Sequence, residues 1–390
     1  MEAWRVFLIF LRLGMTSFGG PLAHLGYFRE AFVVRRRWLD EAGYADIVAL
    51  GQMLPGPASS QVGMMIGLGR AGLPGALAAW CGFTLPSALL MVSLGASLSW
   101  WRNAVPEGLI HGFKLLAVVV VAHAVWGMAR AFCRTVTMGL LMLACAAALL
   151  AWPMAWMPWA VIAVGALVGL AQPGAARPPV ASVSGTPSRR WGALALAVFA
   201  VLLIAAGGGG AEGKPLDVFA VFYRTGAAVF GGGHVVMPLL QAGVVDPQWL
   251  AQDAFLAGYG AAQAMPGPLF TFAGYLGAAM EAGPGGWPGG LLAVIAIFLP
   301  SWLLVVGVLP FWERAAAWPR IRGVLAGVNA AVVGLLLAAL YDPLWTAAVL
   351  GPGDVVAVVA GFAALTVGRM PMGWLVLVMP FVGMLAHGLS

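Results

Sequence analysis

The sequence predicts an all-α polytopic membrane protein built as two inverted-topology repeats, with discontinuous or re-entrant helices at FGG and PGP motifs. Composition is the first observation behind this: of 390 residues, 62% are hydrophobic and only 9% charged, far outside the range of soluble domains. Continuity is the second. Apolar runs such as 192–211 and 288–311 do not alternate, and at a helical rise of about 1.5 Å per residue they cross a hydrocarbon core about 30 Å thick. They therefore read as helices and not as barrel strands. The third observation is self-similarity. "RLGMTSFGGP" from Arg12 recurs as "RTGAAVFGGG" from Arg224, "ALGQMLPGP" as "GAAQAMPGP", "FTLPSALLMV" as "IFLPSWLLVV" and "GFKLLAVVV" as "GVNAAVVGL", in order and at offsets of 211 to 215. One unit is duplicated.

The N-terminus carries Arg5 and Arg12 around its first apolar run and no small-residue cleavage site, so it is expected to be retained. The FGG arm ends in a loop with Arg29, Arg35, Arg36 and Arg37, whereas its counterpart from Gln241 to Asp253 has no lysine or arginine. After the third element the bias reverses, with Arg102 in one half against Arg314, Arg320 and Arg322 in the other. Basic loops mark the cytoplasmic side, so the halves are expected upside down relative to each other.

Inversion requires that the FGG and PGP segments enter and leave on one side. Crossings are then placed at 75–100, 108–130, 136–152, 155–171, 192–211, 288–311, 323–341, 353–368 and 371–388, with the N-terminus cytoplasmic. Among loop cations, only Arg102 and Lys214 fall outside. The predicted organisation is a first repeat over 1–172, a Pro/Ser/Gly-rich cytoplasmic linker over 173–191, a connecting helix over 192–211 and the second repeat over 212–390.

Proline and glycine inside a membrane helix strand backbone groups that lipid cannot satisfy, so such breaks belong where they line a polar cavity. Proline suits a helix start, and Pro57 and Pro21 are placed there, with amide donors facing each apex. Four helix N-termini converging near the midplane, each with roughly half a positive charge, would hold an anion. The candidate site comprises Gly19, Gly20, Pro21, His24, Gln52, Pro55, Gly56, Pro57, Ser59 and Ser60, with Gly231, Gly232, His234, Gln263, Gly267 and Thr271 in the second half. Arg12, Lys114 and Arg224 are intramembrane cations that need partners or a purpose. Asp46 and Glu30 are the nearest carboxylates, as ion-pair partners or proton carriers. His24 and His234 flank the two glycine breaks and also read as structural histidines. Trp100, Trp101, Trp156, Trp159 and Trp312 read as the interfacial belt.

No cofactor or metal is expected. Cys81, Cys133 and Cys145 lack metal-ligand spacing and read as packing residues. There is no HExxH, nucleophile elbow or dinucleotide fingerprint, so an enzyme is disfavoured. The net charge of +6 and pI near 9.7 are explained by cytoplasmic loops without nucleic acid.

"SFGGPLAHLGYFREAFV", "RRRWLDEAGYADIVALGQMLPGPASSQVGMMIG" and "FTLPS", with "FGGGHVVMPLL" and "AMPGPLFTFAGYLG" in the second half, resemble the chromate ion transporter family in its long two-domain form. The resemblance implies export of chromate across the bacterial inner membrane, driven by the proton motive force, with chromate resistance as the outcome. It implies chromate as substrate, sulfate as a competing analogue and protons as the coupling ion. A second copy of the chain is an alternative to a monomer. Family positions match at Arg12, Phe18, Gly19, Gly20, Pro21, His24, Pro55, Gly56, Pro57, Ser59 and Ser60. In the second half "GGGH" replaces "GGPLAH", so the proline at that apex has no counterpart. A sulfate or related oxyanion uptake carrier and an anion channel are the competing readings, since chromate and sulfate are both tetrahedral dianions.

Overall fold

The computed structural model describes residues 1–98, 106–154, 156–172, 185–208, 213–230, 233–281, 283–312, 319–368, 370 and 372–388. Within them the chain is helical, with no strand. Most of the linker, together with Arg102, Arg177, Arg314, Trp100 and Trp101, lies outside the described residues.

The chain opens with α1 (Glu2–Thr16), about 22 Å long at helical rise, too short for a bilayer core. It stops where Ser17 turns extended and Gly19 and Gly20 take positive φ, 97° and 77°. Then comes α2 (Gly20–Arg29), prolonged by a π turn over Glu30–Arg35, which meets α1 where Phe28 and Phe32 pack against Phe10. Asp40 caps α3 (Glu41–Met53), accepting from the Gly43 amide at 2.8 Å. Leu54 breaks out extended and Gly56 takes a φ of 122° before α4 (Ala58–Ala96).

The 39 residues of α4 do not form one rod. Ala71 and Gly72 leave helical geometry, and a side chain added at Gly67 would overlap the carbonyl of Gly75. In a straight helix those two positions would be about 12 Å apart, so the chain reverses between them. The stretch long enough to cross a bilayer is 73–96; the preceding arm, 58–70, is only about 20 Å long.

Next come α5 (Glu107–Phe132), α6 (Val136–Ala151), α7 (Met157–Ala171) and α8 (Arg189–Gly207). The remaining chain is α9 (Pro215–Ala228), α10 (Val236–Val244), α11 (Gln252–Ala264), α12 (Phe272–Ala279), α13 (Gly286–Val308), α14 (Pro319–Ala339), α15 (Pro352–Thr366) and α16 (Met372–Gly388). Short turns, Gly233–Val235 and Leu269–Thr271, precede α10 and α12. Among the described residues, five helical stretches are long and apolar enough to cross a membrane, over Ala58–Ala96, Glu107–Phe132, Arg189–Gly207, Gly286–Phe311 and Arg320–Ala348. The predicted spans at 136–152, 155–171, 353–368 and 371–388 correspond to helices of 15 to 17 residues.

Packing interleaves the N- and C-terminal parts. α1 lies on α4, α9 on α13, α12 and α13 on α4, α11 and α16 on α5, and α14 on α6 and α7. One core gathers Phe10, Phe28, Phe32, Met64, Met65 and Phe83 and takes in Val305 and Leu309 from α13. Trp312, just after the turn that follows α13, belongs to it as well and is only 5% exposed, so its ring faces protein and not the interfacial belt expected of it. A larger core surrounds α5, α11, α12 and α14. Outside these cores Leu140, Leu167, Val201, Ile204 and Leu377 stand exposed on apolar faces, an outer surface suited to lipid and not to water.

Candidate functional site

The four glycine and proline breaks meet in pairs, each pair joining the two parts of the chain. The amide of Gly56, at the first PGP, donates to the carbonyl of Val229 at 2.7 Å. The amide of Gly267, at the second PGP, donates to the carbonyl of Ser17 at 2.9 Å. Val229 and Ser17 occupy the same place in their motifs, one residue before the phenylalanine of FGG, and both are extended helix caps. Each unwound apex therefore satisfies a carbonyl freed by the other part's helix end, which is how broken backbone is tolerated away from water.

Both apex glycines are required twice over. Gly56 and Gly267 have φ of 122° and 98°, and a side chain at either would strike a serine hydroxyl: Ser301 at Gly56 and Ser87 at Gly267. Those serines are again equivalent, from "FLPS" and "TLPS". Pro57 is the cap before α4, not its first residue as expected; at ψ 94° it is still extended, and its carbonyl accepts from the Gln61 amide at 3.0 Å.

His24 joins the first FGG to the first PGP. It is 1% exposed and stacks edge-on against Phe83. Its Nε2–H donates to the Ser17 carbonyl at 3.2 Å, so in the neutral ring Nδ1 accepts from the Ser59 hydroxyl at 3.3 Å. A side chain added at Gly233 would come into contact with both Pro21 and Leu269, so the three lie close together. The starts of α2 and α4 and the turns leading into α10 and α12 thus lie together, presenting amide donors and the positive ends of their dipoles.

Several buried polar atoms in this region have no partner among the described residues. They are the hydroxyls of Ser17, Ser60, Thr84 and Ser301 and the Oε1 of Gln61, on side chains at most 3% exposed. The other end of Gln61 is committed, Nε2 donating to the Pro55 carbonyl at 2.6 Å. Native interiors rarely leave such groups unmet, so five of them together make a concentration of hydrogen-bonding capacity at the apex. Of these residues only Ser60 was singled out by sequence. Ser17, Thr84 and Ser301 sit inside the repeated motifs, so the signal was present, but a hydroxyl in an apolar run does not announce which way it points.

The other predicted residues are dispersed. Arg12 is exposed on α1 and Arg224 half-buried on α9, and neither makes an ion pair among the described residues. Gln52 is exposed on α3. Gln263 is half-buried beside the Tyr259 hydroxyl, its Nε2 without a partner among the described residues. His234 Nδ1 meets that hydroxyl at 3.0 Å, and Thr271 turns its hydroxyl back to the Pro268 carbonyl at 2.8 Å. Gly231 and Gly232 lie outside the described residues.

Lys114 is ion-paired with Asp253 at 2.6 Å, a partner the sequence did not suggest. Asp253 opens α11 and the PGP apex closes it, so this pair stands about 16 Å from the apex along the helix. Glu30, expected as an ion-pair partner or a proton carrier, pairs with Arg35 at 2.8 Å at the surface. No cluster of three metal-ligating side chains occurs among the described residues. The apex is thus an uncharged cluster of hydroxyls and amides at converging helix starts, the kind of donor set that suits an anion without a fixed countercharge.

Comparison with known proteins bears on what that cluster serves. The sequence model of the chromate transporter family matches residues 4–170 and again residues 216–385. The chain belongs to the chromate transporter family. Its relatives include a probable chromate transport protein of Synechococcus elongatus, 27% identical over 85% of this chain and 82% of that one. A chromate transport protein of Cupriavidus metallidurans is 27% identical over 85% of this chain and 80% of its own length. An uncharacterized transporter of Bacillus subtilis is 34% identical over 122 residues, 31% of this chain and 66% of that one. No solved structure matches. As a member of the chromate transporter family this chain is a transmembrane transporter, with a transport role and not a catalytic one.

Proposed function

We propose that this chain exports chromate from the cytoplasm across the bacterial inner membrane, coupled to the proton motive force, and thereby confers chromate resistance. The observation that carries the reading is the reciprocal pair of apex hydrogen bonds, Gly56 to Val229 and Gly267 to Ser17, with helix starts gathered around them. Converging helix starts favour a dianion, and the family and the names of its relatives favour chromate among dianions.

In the proposed architecture the family unit occurs twice, in inverted orientation, and the arms flanking FGG and PGP are re-entrant. Support comes from the twofold match to the family, from the matching backbone at equivalent apices and from the shortness of α1, α3, α11 and α12, none above 15 residues. Alternating access then rocks one unit against the other around the shared apex. Arg12 and Arg224 attract the dianion towards it. The orientation proposed places the N-terminus and the Arg35–Arg37 loop in the cytoplasm.

A sulfate uptake carrier is the second reading, because uncharged hydroxyl and amide donors do not separate two tetrahedral dianions. The test is accumulation of labelled chromate in inverted membrane vesicles, with and without a proton gradient and with excess sulfate. Accumulation that collapses with the gradient is expected. Sulfate moving in place of chromate transfers the assignment to the second reading, and high, non-saturating flux without coupling makes the protein an anion channel.

A further inference from the structure

The two repeated serines, Ser87 and Ser301, occupy the same place against opposite apices, yet only one has its hydroxyl satisfied. Ser87 Oγ donates to the Thr84 carbonyl at 3.2 Å. Ser301 Oγ has no partner among the described residues, its side chain is 0% exposed, and it points at Gly56 so closely that a methyl group there would overlap it. The asymmetry continues around it. Ser60, next to the first PGP, keeps a free buried hydroxyl, whereas its counterpart Thr271 spends its own on Pro268. Gln61, beside the same spot, is replaced by Phe272 at the second apex.

We propose that Ser301, reaching across from α13, donates a hydrogen bond to one oxygen of the transported tetrahedral oxyanion at the first PGP apex, beside Ser60 and the amides opening α4. The binding site is then composite. The first PGP supplies helix start and Ser60 hydroxyl, the second "FLPS" supplies Ser301, and Gln61 positions the apex by holding the Pro55 carbonyl. This deepens the oxyanion-transport reading above and rests on it. A hydroxyl contributed by the other unit also couples binding to the relation between units, since rocking them moves Ser301 away from Gly56 and weakens the grip.

The test is saturation kinetics of labelled chromate, with labelled sulfate in parallel, in vesicles containing the full chain. Ser301→Ala is expected to raise KM about tenfold or more, the scale of a lost hydrogen bond to a charged group, with membrane level and maximal rate near wild type. Ser301→Cys, similar in size but a weaker donor, should fall between. Ser87→Ala should stay within about twofold of wild type. Oxyanion-dependent thermal stabilisation of the solubilised protein reads the same affinity order if either Ser301 variant accumulates poorly. An unchanged KM in Ser301→Ala, or equal effects at Ser87 and Ser301, overturns the proposal and leaves the oxyanion reading standing. A wild-type chain that neither moves nor binds either anion removes both.

Discussion

At the scale of single residues, glycine at the two apices does work that no other residue can do. Gly56 combines a φ of 122° with contact to the Ser301 hydroxyl, and Gly267 a φ of 98° with contact to Ser87. Strain of this kind costs roughly 1–3 kcal/mol per site before any steric overlap. Gly56→Ala and Gly267→Ala are therefore expected to lose transport and to lower the thermal unfolding temperature, whereas Gly127→Ala and Gly139→Ala, with open space around them, should be neutral or slightly stabilising. Unfolding scans of the four solubilised variants check this, and four equal results would remove the apices' special standing. Lys114 illustrates the opposite case. Its charge looked available in sequence, but Asp253 holds it, and with Asp253 largely exposed the pair contributes at most about 1 kcal/mol. Lys114→Ala and Asp253→Ala should resemble each other, and the double variant should be no worse than either. A double variant whose transport loss is the sum of the two would assign the residues separate roles.

At the scale of elements, the PGP and FGG breaks were legible because proline and glycine cannot continue a helix wherever they are placed. The reversal inside α4 was less so: Ala71–Gly72 lies between two arms that are helical and apolar alike, and only the contact of Gly67 with Gly75 shows that they fold back. A second junction escaped sequence reading altogether. Asp354 accepts from the Leu350 and Gly351 amides, capping α15, and from His111 Nε2 at 2.8 Å, pinning α15 to α5. Both side chains are buried, so removing the carboxylate leaves three donors unmet. Asp354→Ala is expected to cost about 3 kcal/mol or more, with His111→Ala similar or smaller. Thermal stability in detergent reads this directly, and an unaltered Asp354→Ala would mean that water replaces the carboxylate. Neither residue lies in the apex cluster, so the surviving protein should keep its KM.

At the scale of the whole molecule, the inverted arrangement makes a prediction that packing cannot satisfy by accident. Arg36 and Gln248 are both exposed and follow equivalent first arms. In a cysteine-free background, Arg36→Cys should react with an impermeant thiol reagent only from the cytoplasmic face and Gln248→Cys only from the outer face. Labelling of both from one side would leave the apex geometry intact but end the inversion.

Sequence by itself determined the solvent, the helical class, the duplicated motifs and the places where helices break. These follow from local chemistry: apolar length, loop charge, and the backbone limits of proline and glycine. Tertiary structure alone decided which breaks meet. The pairing of Gly56 with Val229 and of Gly267 with Ser17 joins parts of the chain far apart in sequence. Ser87 turns its hydroxyl back to the Thr84 carbonyl of its own helix, whereas Ser301, in a near-identical motif, has no hydroxyl partner among the described residues and lies against the other part's Gly56. A hydroxyl's role depends on which acceptors lie within about 3 Å of it. Here the tertiary structure placed each serine against the other part's apex glycine, which neither motif by itself shows.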